Sequence, residues 1–213
     1  MRAKSLSIGT LFLTLSLVLA FSGVVTQAAP KPTLANKSWQ FKFKFEAPRP
    51  IAVKNLRGQV EWFWYMSYEV INNTGKERLF IPEFIVASDK GDRITAGLGV
   101  RTSVFTAIKK RVNNRLLESP TDVVGRLLQG DDNGKESVIV WRATKHDVDR
   151  VSVFIGGLSG ETAVIKVPNA KDPSKPTEAI LSKTLQVDYF FPGAPAKPDA
   201  QEVVAKGQRW IMR

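Results

Sequence analysis

Apolar and polar residues alternate most strongly between Val60 and Ile71. In a β-strand, successive side chains point to opposite faces. One face of this stretch is wholly apolar or aromatic, and consists of Val60, Trp62, Trp64, Met66, Tyr68 and Val70. The other face mixes aromatic rings with two glutamates and a serine, as in an antiparallel strand that has one face partly exposed to solvent. The pattern predicts a central strand with Trp62 and Trp64 buried, and its length predicts a bulge or a strong twist within it.

A two-residue period recurs along most of the chain. Trp39 to Phe45 alternates aromatic residues with Gln40 and two lysines, which is typical of a half-buried edge strand. Further strands are predicted at residues 78–87, 93–100, 137–142, 149–155, 162–167, 180–191 and 203–212. The turn residues after Ile71 predict that strand 78–87 folds back on the central strand, with Pro82 at an edge or a bulge. Lys183 is an exception on the inward face of strand 180–191.

One segment has a helical period instead. Its apolar positions recur every four residues, at Val104, Ile108, Val112 and Leu116. Thr102 or Ser103 can cap its start, and Pro120 stops it. We therefore expect an amphipathic helix from Ser103 to Leu117. The face opposite the apolar stripe carries four basic residues, Lys109, Lys110, Arg111 and Arg115.

The segments add up to about nine or ten strands and one helix. No repeat period and no long linker divides them, so residues 29–213 are predicted to form a single domain. Short strands with frequent turn signals indicate an all-β fold, an antiparallel immunoglobulin-like β-sandwich. A closed β-barrel is the alternative architecture.

The first 28 residues have the layout of a cleavable signal peptide. Arg2 and Lys4 precede an apolar run, and small residues lead to a cleavage position after Ala28. The alternative is an uncleaved anchor, but the apolar run is interrupted by Thr14 and Ser16 and falls short of the roughly 20 residues that span a bilayer. We expect the protein to be secreted or periplasmic, and a bacterial envelope is favoured because the domain has no disulfides. No other stretch is long and apolar enough to span a membrane.

Composition narrows the chemistry further. The chain has no cysteine and a net charge of +11, which falls to about +9 when the signal peptide is removed. The missing cysteines exclude disulfides, thiolate metal sites and a cysteine nucleophile. The positive field favours anionic partners, and envelope polysaccharide or another envelope protein is the expected partner. Nucleic acid is not expected, because no aromatic residues are interleaved with the basic cluster on the helix.

Catalytic and metal sites find little support in the sequence. His146 is the only histidine, so histidine-based metal sites cannot form, and no metal or cofactor is expected. The Gly157 to Glu161 segment resembles a nucleophile elbow, but Glu161 stands where the second glycine is needed. Glu61 and Glu69 share a strand face about 27 Å apart, too far to flank one glycosidic bond. The sequence thus predicts no catalytic residue and a protein that is not an enzyme.

Two groups of residues could bind a ligand. Lys109, Lys110, Arg111 and Arg115 could form an anion-binding surface, although a solvated helix face would have the same composition. Phe63, Tyr65 and Trp141, with Phe154 as a neighbour, could form a stacking platform for sugars. The same rings could equally lie in the core, where aromatic side chains bury large areas.

Three segments carry a resemblance to known proteins: residues 153–161, 183–193 and 68–75. The first two resemble segments of uncharacterised secreted bacterial proteins, and the third is similar to the strand and turn of envelope immunoglobulin-like domains. The resemblance implies a fold and a compartment, and no catalytic or ligand residue. The expectation is a non-catalytic binding or structural module of the cell envelope. A carbohydrate-binding module and a hydrolase with distant carboxylates are the alternatives.

Overall fold

The structure is a computed structural model that describes residues 30–33, 37–143, 148–169, 172, 175–192 and 202–213. The predicted signal peptide and His146 lie outside these residues. The strands are β1 (Lys42–Phe45), β2 (Arg49–Lys54), β3 (Val60–Ile71), β4 (Arg78–Phe80), β5 (Glu83–Ser88), β6 (Arg93–Thr95), β7 (Gly125–Leu127), β8 (Lys135–Arg142), β9 (Arg150–Gly156), β10 (Thr162–Val167), β11 (Thr177–Phe190) and β12 (Val204–Met212). The α-helix of the described chain, α1, runs from Thr102 to Val112.

Strand β3 is the centre of a four-stranded antiparallel sheet, the first sheet. Along one edge it pairs with β2 over its first half and with β1 over its second half. Along the other edge it pairs with β8. The pairings of β3 show no register shift, so of the two expected features, a bulge or a strong twist, the bulge is absent from β3. Trp64 is buried as predicted, whereas Trp62 is only half-buried because it lies near the exposed start of the strand.

The second sheet has six strands in the order β10-β11-β9-β5-β6, and β12 pairs with the other edge of β11. Strands β9 and β10 lie along the same edge of β11: β9 pairs with residues 185–190 and β10 with residues 177–182. Residues 157–161 leave that edge between the two strands. A tight turn would reverse the chain here, but the chain continues in the same direction because both strands pair antiparallel with β11.

The buried hydrophobic residues form two clusters. The larger cluster contains side chains from both sheets, including Trp64 and Met66 of β3 and Val153 and Val187 of the second sheet. The smaller cluster lies on the outer face of the first sheet, where α1 covers it with Val104 and Ile108. The all-β class and the antiparallel sheets are confirmed.

The predicted hairpin of strand 78–87 with the central strand is wrong. The segment divides at Ile81 and Pro82 into β4, which pairs with β7, and β5, which joins the second sheet. Proline has no backbone N–H to donate to a sheet and fixes its own backbone angle, so the strand is interrupted at Pro82. Two strands were not predicted from the sequence: β2, an edge strand that contains Pro50, and the short strand β7.

The helix is shorter than the apolar period predicted. It ends at Val112 because Asn113 adopts a left-handed conformation with φ of 54°, which closes a helix C-terminus. Arg101 occupies the N-cap position without a side-chain capping bond, so neither Thr102 nor Ser103 caps the helix. Leu116, the last residue of the predicted stripe, lies beyond the helix and is 80% exposed.

The boundary of the helix makes a stability prediction with a matched control. Ile108→Ala should lower the free energy of unfolding by about 2–5 kcal/mol, because the side chain is fully buried and its loss leaves a cavity. Leu116→Ala removes a similar side chain from an exposed position and should change it by less than about 0.5 kcal/mol. Urea unfolding of both variants measures the difference. Equal losses would contradict the exposed position of Leu116.

Candidate functional site

The aromatic residues proposed for sugar stacking are in the core. Phe63 and Tyr65 are each 1% exposed and lie beneath α1, and Trp141 is 4% exposed between the two sheets. A stacking platform needs rings that face solvent, so these three residues cannot provide one in this conformation. Phe154 is partly exposed, but the Arg213 guanidinium lies 4.3 Å from its ring centroid. Of the two alternatives for Phe63, Tyr65 and Trp141, a sugar platform or the core, the structure has these rings in the core.

The four predicted basic residues lie at the C-terminal end of α1 and just beyond it. Lys109, Lys110 and Arg111 are in its last turn, and Arg115 follows three residues after its end. Lys110, Arg111 and Arg115 are exposed, and Lys109 is half-buried. We call these four residues the basic helix surface. Cations are favourable at a helix C-terminus, where the backbone carbonyls carry partial negative charge, so part of this arrangement stabilises the helix itself.

The hydrogen bonds of the basic helix surface do not neutralise it. The Lys109 ammonium donates to the Leu117 carbonyl at 2.8 Å, and Arg111 donates to the Pro50 carbonyl at 3.0 Å. Both acceptors are neutral backbone groups, so the two positive charges remain. The ion pairs between described residues include none of the four residues. The surface therefore holds four cations that no described carboxylate contacts.

A small acidic groove lies beside the end of α1. Glu69 of β3 and Glu136 of β8 are paired across the first sheet and both line it. The Lys44 ammonium donates to Glu69, and this bond raises the pKa of Lys44 above its ordinary value. Asn114 donates to Glu136. At about 230 Å³ the groove is smaller than the usual range of ligand sites, so it gives the hydrolase alternative little support.

The nucleophile-elbow segment has a structural use. Ser159 Oγ donates to the Trp39 carbonyl at 3.1 Å and accepts from the Glu161 N–H at 3.2 Å. The backbone of Phe41 also donates to the Leu158 carbonyl. These bonds join the segment to the chain that leads into β1. Both hydrogen bonds of the Ser159 hydroxyl are therefore made with backbone groups, which is a structural role.

A buried ion pair lies next to this segment and was not predicted. The Lys183 ammonium is 3.0 Å from a Glu161 carboxylate oxygen, and their side chains are 3% and 9% exposed. Thr33 donates to the other Glu161 oxygen through its backbone N–H at 3.0 Å and its hydroxyl at 2.8 Å. These hydrogen bonds lower the pKa of Glu161 to about 2. The bond from the Thr33 N–H has the largest effect, and the bond from Lys183 has the next largest. The one signal in the sequence was the position of Lys183 on an inward face.

Thr33 holds residues 30–33, the N-terminal segment, over a cavity of about 790 Å³. The cavity lies against the end of β12, where Arg209, Trp210 and Met212 line it, and Gln40 and Lys183 contribute its polar groups. The Lys183 ammonium is also 5.2 Å from the centroid of the Trp210 ring. We call this space the N-terminal cavity. Its volume is within the usual range for small-molecule sites.

Comparison with known proteins gives no relative: no protein-family model, no curated protein and no solved structure matches the chain. In the described ranges, no cluster of three or more acidic or histidine side chains could hold a metal ion. Among the same residues, no helix has the length and apolarity needed to cross a bilayer.

Proposed function

We propose that the protein is an exported, non-catalytic binding module of the cell envelope that holds anionic polysaccharide on its basic helix surface. The observation that carries the proposal is the group of four cations without a carboxylate partner among the described residues. A protein usually intersperses opposite charges over its surface, and a cluster of one sign attracts ligands of the other. Polymers with repeated carboxylates or sulfates match such a surface better than single small anions.

Three further features support this reading. The signal-peptide pattern of residues 1–28 would bring the domain to the envelope, where acidic polysaccharides are available. The two sheets share one hydrophobic cluster, as an immunoglobulin-like β-sandwich would require, and such domains commonly serve as binding or structural modules. The helix also packs on a sheet through buried Val104 and Ile108, so the three cations in its last turn project from a rigid support.

Charge reversal tests the proposal. In residues 29–213, the variant Lys110→Glu/Arg115→Glu should bind polygalacturonate about tenfold more weakly than the unmodified chain at low ionic strength, because attraction becomes repulsion at the contact. Affinity electrophoresis through gels containing the polymer measures this. Binding should also weaken between about 0.01 M and 0.15 M salt, as the Debye length falls from about 30 Å to about 8 Å.

The control reverses the same number of charges elsewhere. Arg57 lies in the exposed turn between β2 and β3, and Lys206 is exposed on β12. Arg57→Glu/Lys206→Glu has the same net charge as the helix variant, so it separates a local site from the overall field. Equal weakening in both double variants would show that the net charge alone attracts the polymer.

A further inference from the structure

We infer that the outward face of the two-stranded sheet of β4 and β7 associates, about a two-fold axis, with the same face of a second copy of the chain. We call it the aliphatic face, and its residues are four exposed aliphatics and two charged residues: Leu79, Ile81, Val124, Leu128, Glu77 and Arg126. The inner residues of the same sheet, Phe80 and Leu127, pack into the larger hydrophobic cluster, whereas α1 covers the smaller one. The inference therefore does not depend on the proposed role of the helix.

The alternation of side chains along the two strands places the aliphatic residues on one face. Leu79 and Ile81 flank Phe80 in the chain, and Phe80 is fully buried, so its two neighbours point outwards. On the other strand, Val124 directly precedes β7 and Leu128 directly follows it. The four aliphatic side chains are between 44% and 60% exposed. Neighbours along and across a sheet face lie about 5–8 Å apart, so these residues form one continuous apolar surface.

A continuous apolar surface differs from scattered exposed leucines. Single exposed apolar residues, such as Leu56 in the turn between β2 and β3, are normal on a protein surface. A contiguous patch instead marks a site of interaction, because covering it removes apolar area from water. The aliphatic face therefore has a driving force for association.

The charges on the aliphatic face decide which partner fits. Arg126 pairs with Glu77 at 3.1 Å, and the two side chains remain 82% and 43% exposed. The face thus carries one charge of each sign, on a chain whose net charge is +11. Two such chains repel one another, and the repulsion is smallest where the approaching faces carry no net charge. Anionic lipids attract clusters of lysine and arginine instead, and Glu77 would oppose them.

The face is also complementary to itself. A two-fold axis that runs parallel to β4 and β7, midway between them, would place β4 of each copy against β7 of the other. Because Leu79 is paired with Arg126 in the sheet, Arg126 would then lie beside Glu77 of the second copy. One terminal nitrogen of Arg126 donates to Glu77 of its own chain, so other N–H groups of the guanidinium remain for the second copy.

Sedimentation equilibrium of residues 29–213 tests the inference. The unmodified chain should dimerise reversibly with a dissociation constant of about 10–100 µM, as expected of a small interface. Leu79→Asp/Leu128→Asp should abolish the dimer, because it places charges in the apolar contact. Leu56→Asp/Leu98→Asp replaces two exposed leucines outside the β4–β7 sheet, with the same change in net charge, and should dimerise as before.

The charged contact has a test that loss of stability cannot imitate. Arg126→Glu and Glu77→Arg should each weaken self-association about tenfold at low ionic strength, because like charges then meet across the two-fold axis. An equimolar mixture of the two variants should associate more tightly than either variant alone. In the mixed dimer, each glutamate of one copy meets an arginine of the other.

Several results would overturn the inference: a monomer at concentrations up to about 1 mM, a dimer that Leu79→Asp/Leu128→Asp leaves intact, equal losses in both leucine variants, or a mixture no tighter than its components. Flotation with phosphatidylglycerol vesicles tests the other occupant. A monomer that floats with these vesicles, and no longer floats as Leu79→Asp/Leu128→Asp, would assign the face to lipid. Lys110→Glu/Arg115→Glu should still dimerise, so failure of polysaccharide binding would contradict only the proposed function of the helix.

Discussion

Gly157→Ala should destabilise the protein by more than about 4 kcal/mol, a loss large enough to prevent folded protein from accumulating. Gly157 has a φ of 78°, in the left-handed region that side chains disfavour. A β-carbon at this position would also overlap the carbonyl oxygen of Ile81. The clash involves two backbones that connect the sheets, so neither can move without breaking other contacts.

Gly91→Ala is the control for this substitution. Gly91 has a similar φ of 83°, but no atom lies within 4 Å of where its β-carbon would be. Its replacement should therefore cost only the conformational strain, about 1–2 kcal/mol. Urea unfolding and the yield of folded protein compare the two variants. Similar costs would show that Gly157 does not make the close approach to Ile81.

Lys183→Met should lower the melting temperature by about 10 °C. Removing one partner of a buried ion pair is strongly destabilising because the remaining charge stays in a poorly solvated site. In a domain of this size, each kcal/mol corresponds to about 2–4 °C. Differential scanning calorimetry of Lys183→Met, Glu161→Gln and the double variant measures the effect. Glu161→Gln keeps an oxygen that accepts from Thr33, but its amide NH2 group then faces the Lys183 ammonium, so it removes both the negative charge and the acceptor for Lys183.

The double variant should be less destabilised than the sum of the two single variants, because it leaves no unpaired charge. Additive losses would contradict a coupled pair.

The stability of the protein should also depend on pH through Glu161. Since the pKa of Glu161 falls from 4.5 to about 2 on folding, its contribution is complete above about pH 4.5 and is lost as the pH falls to about 2. Glu161→Gln should lose less stability over this interval.

Local patterns predicted the strands better than their pairing. The alternation of residues 162–167 gave β10 with its observed bounds, and β3 was also predicted correctly, because side-chain period is a local property. Pairing depends on contacts between distant residues. The turn after Ile71 therefore suggested a hairpin between β3 and residues 78–87. Instead, the strand is interrupted at Pro82, and the residues after it form β5 in the second sheet.

The residues of the candidate sites could also be predicted where they depend on local sequence, and not where they depend on contacts between distant segments. The basic residues at the end of α1 could be predicted to lie near one another because they are close together in the sequence. The burial of Phe63 and Tyr65 could not, since their face of β3 is closed by a helix that follows some 40 residues later. The partnership of Glu161, Lys183 and Thr33 joins three distant segments. The one indication of this buried contact in the sequence was the inward position of Lys183.

The most direct test of the proposed function compares polymers on the unmodified protein. Residues 29–213 should be retarded in gels containing polygalacturonate at low ionic strength and should migrate freely through gels containing neutral dextran. Lys110→Glu/Arg115→Glu should lose most of the retardation, and Arg57→Glu/Lys206→Glu should keep more of it. Equal retardation by both polymers, or none by polygalacturonate, would contradict the claim that the basic helix surface binds anionic polysaccharide.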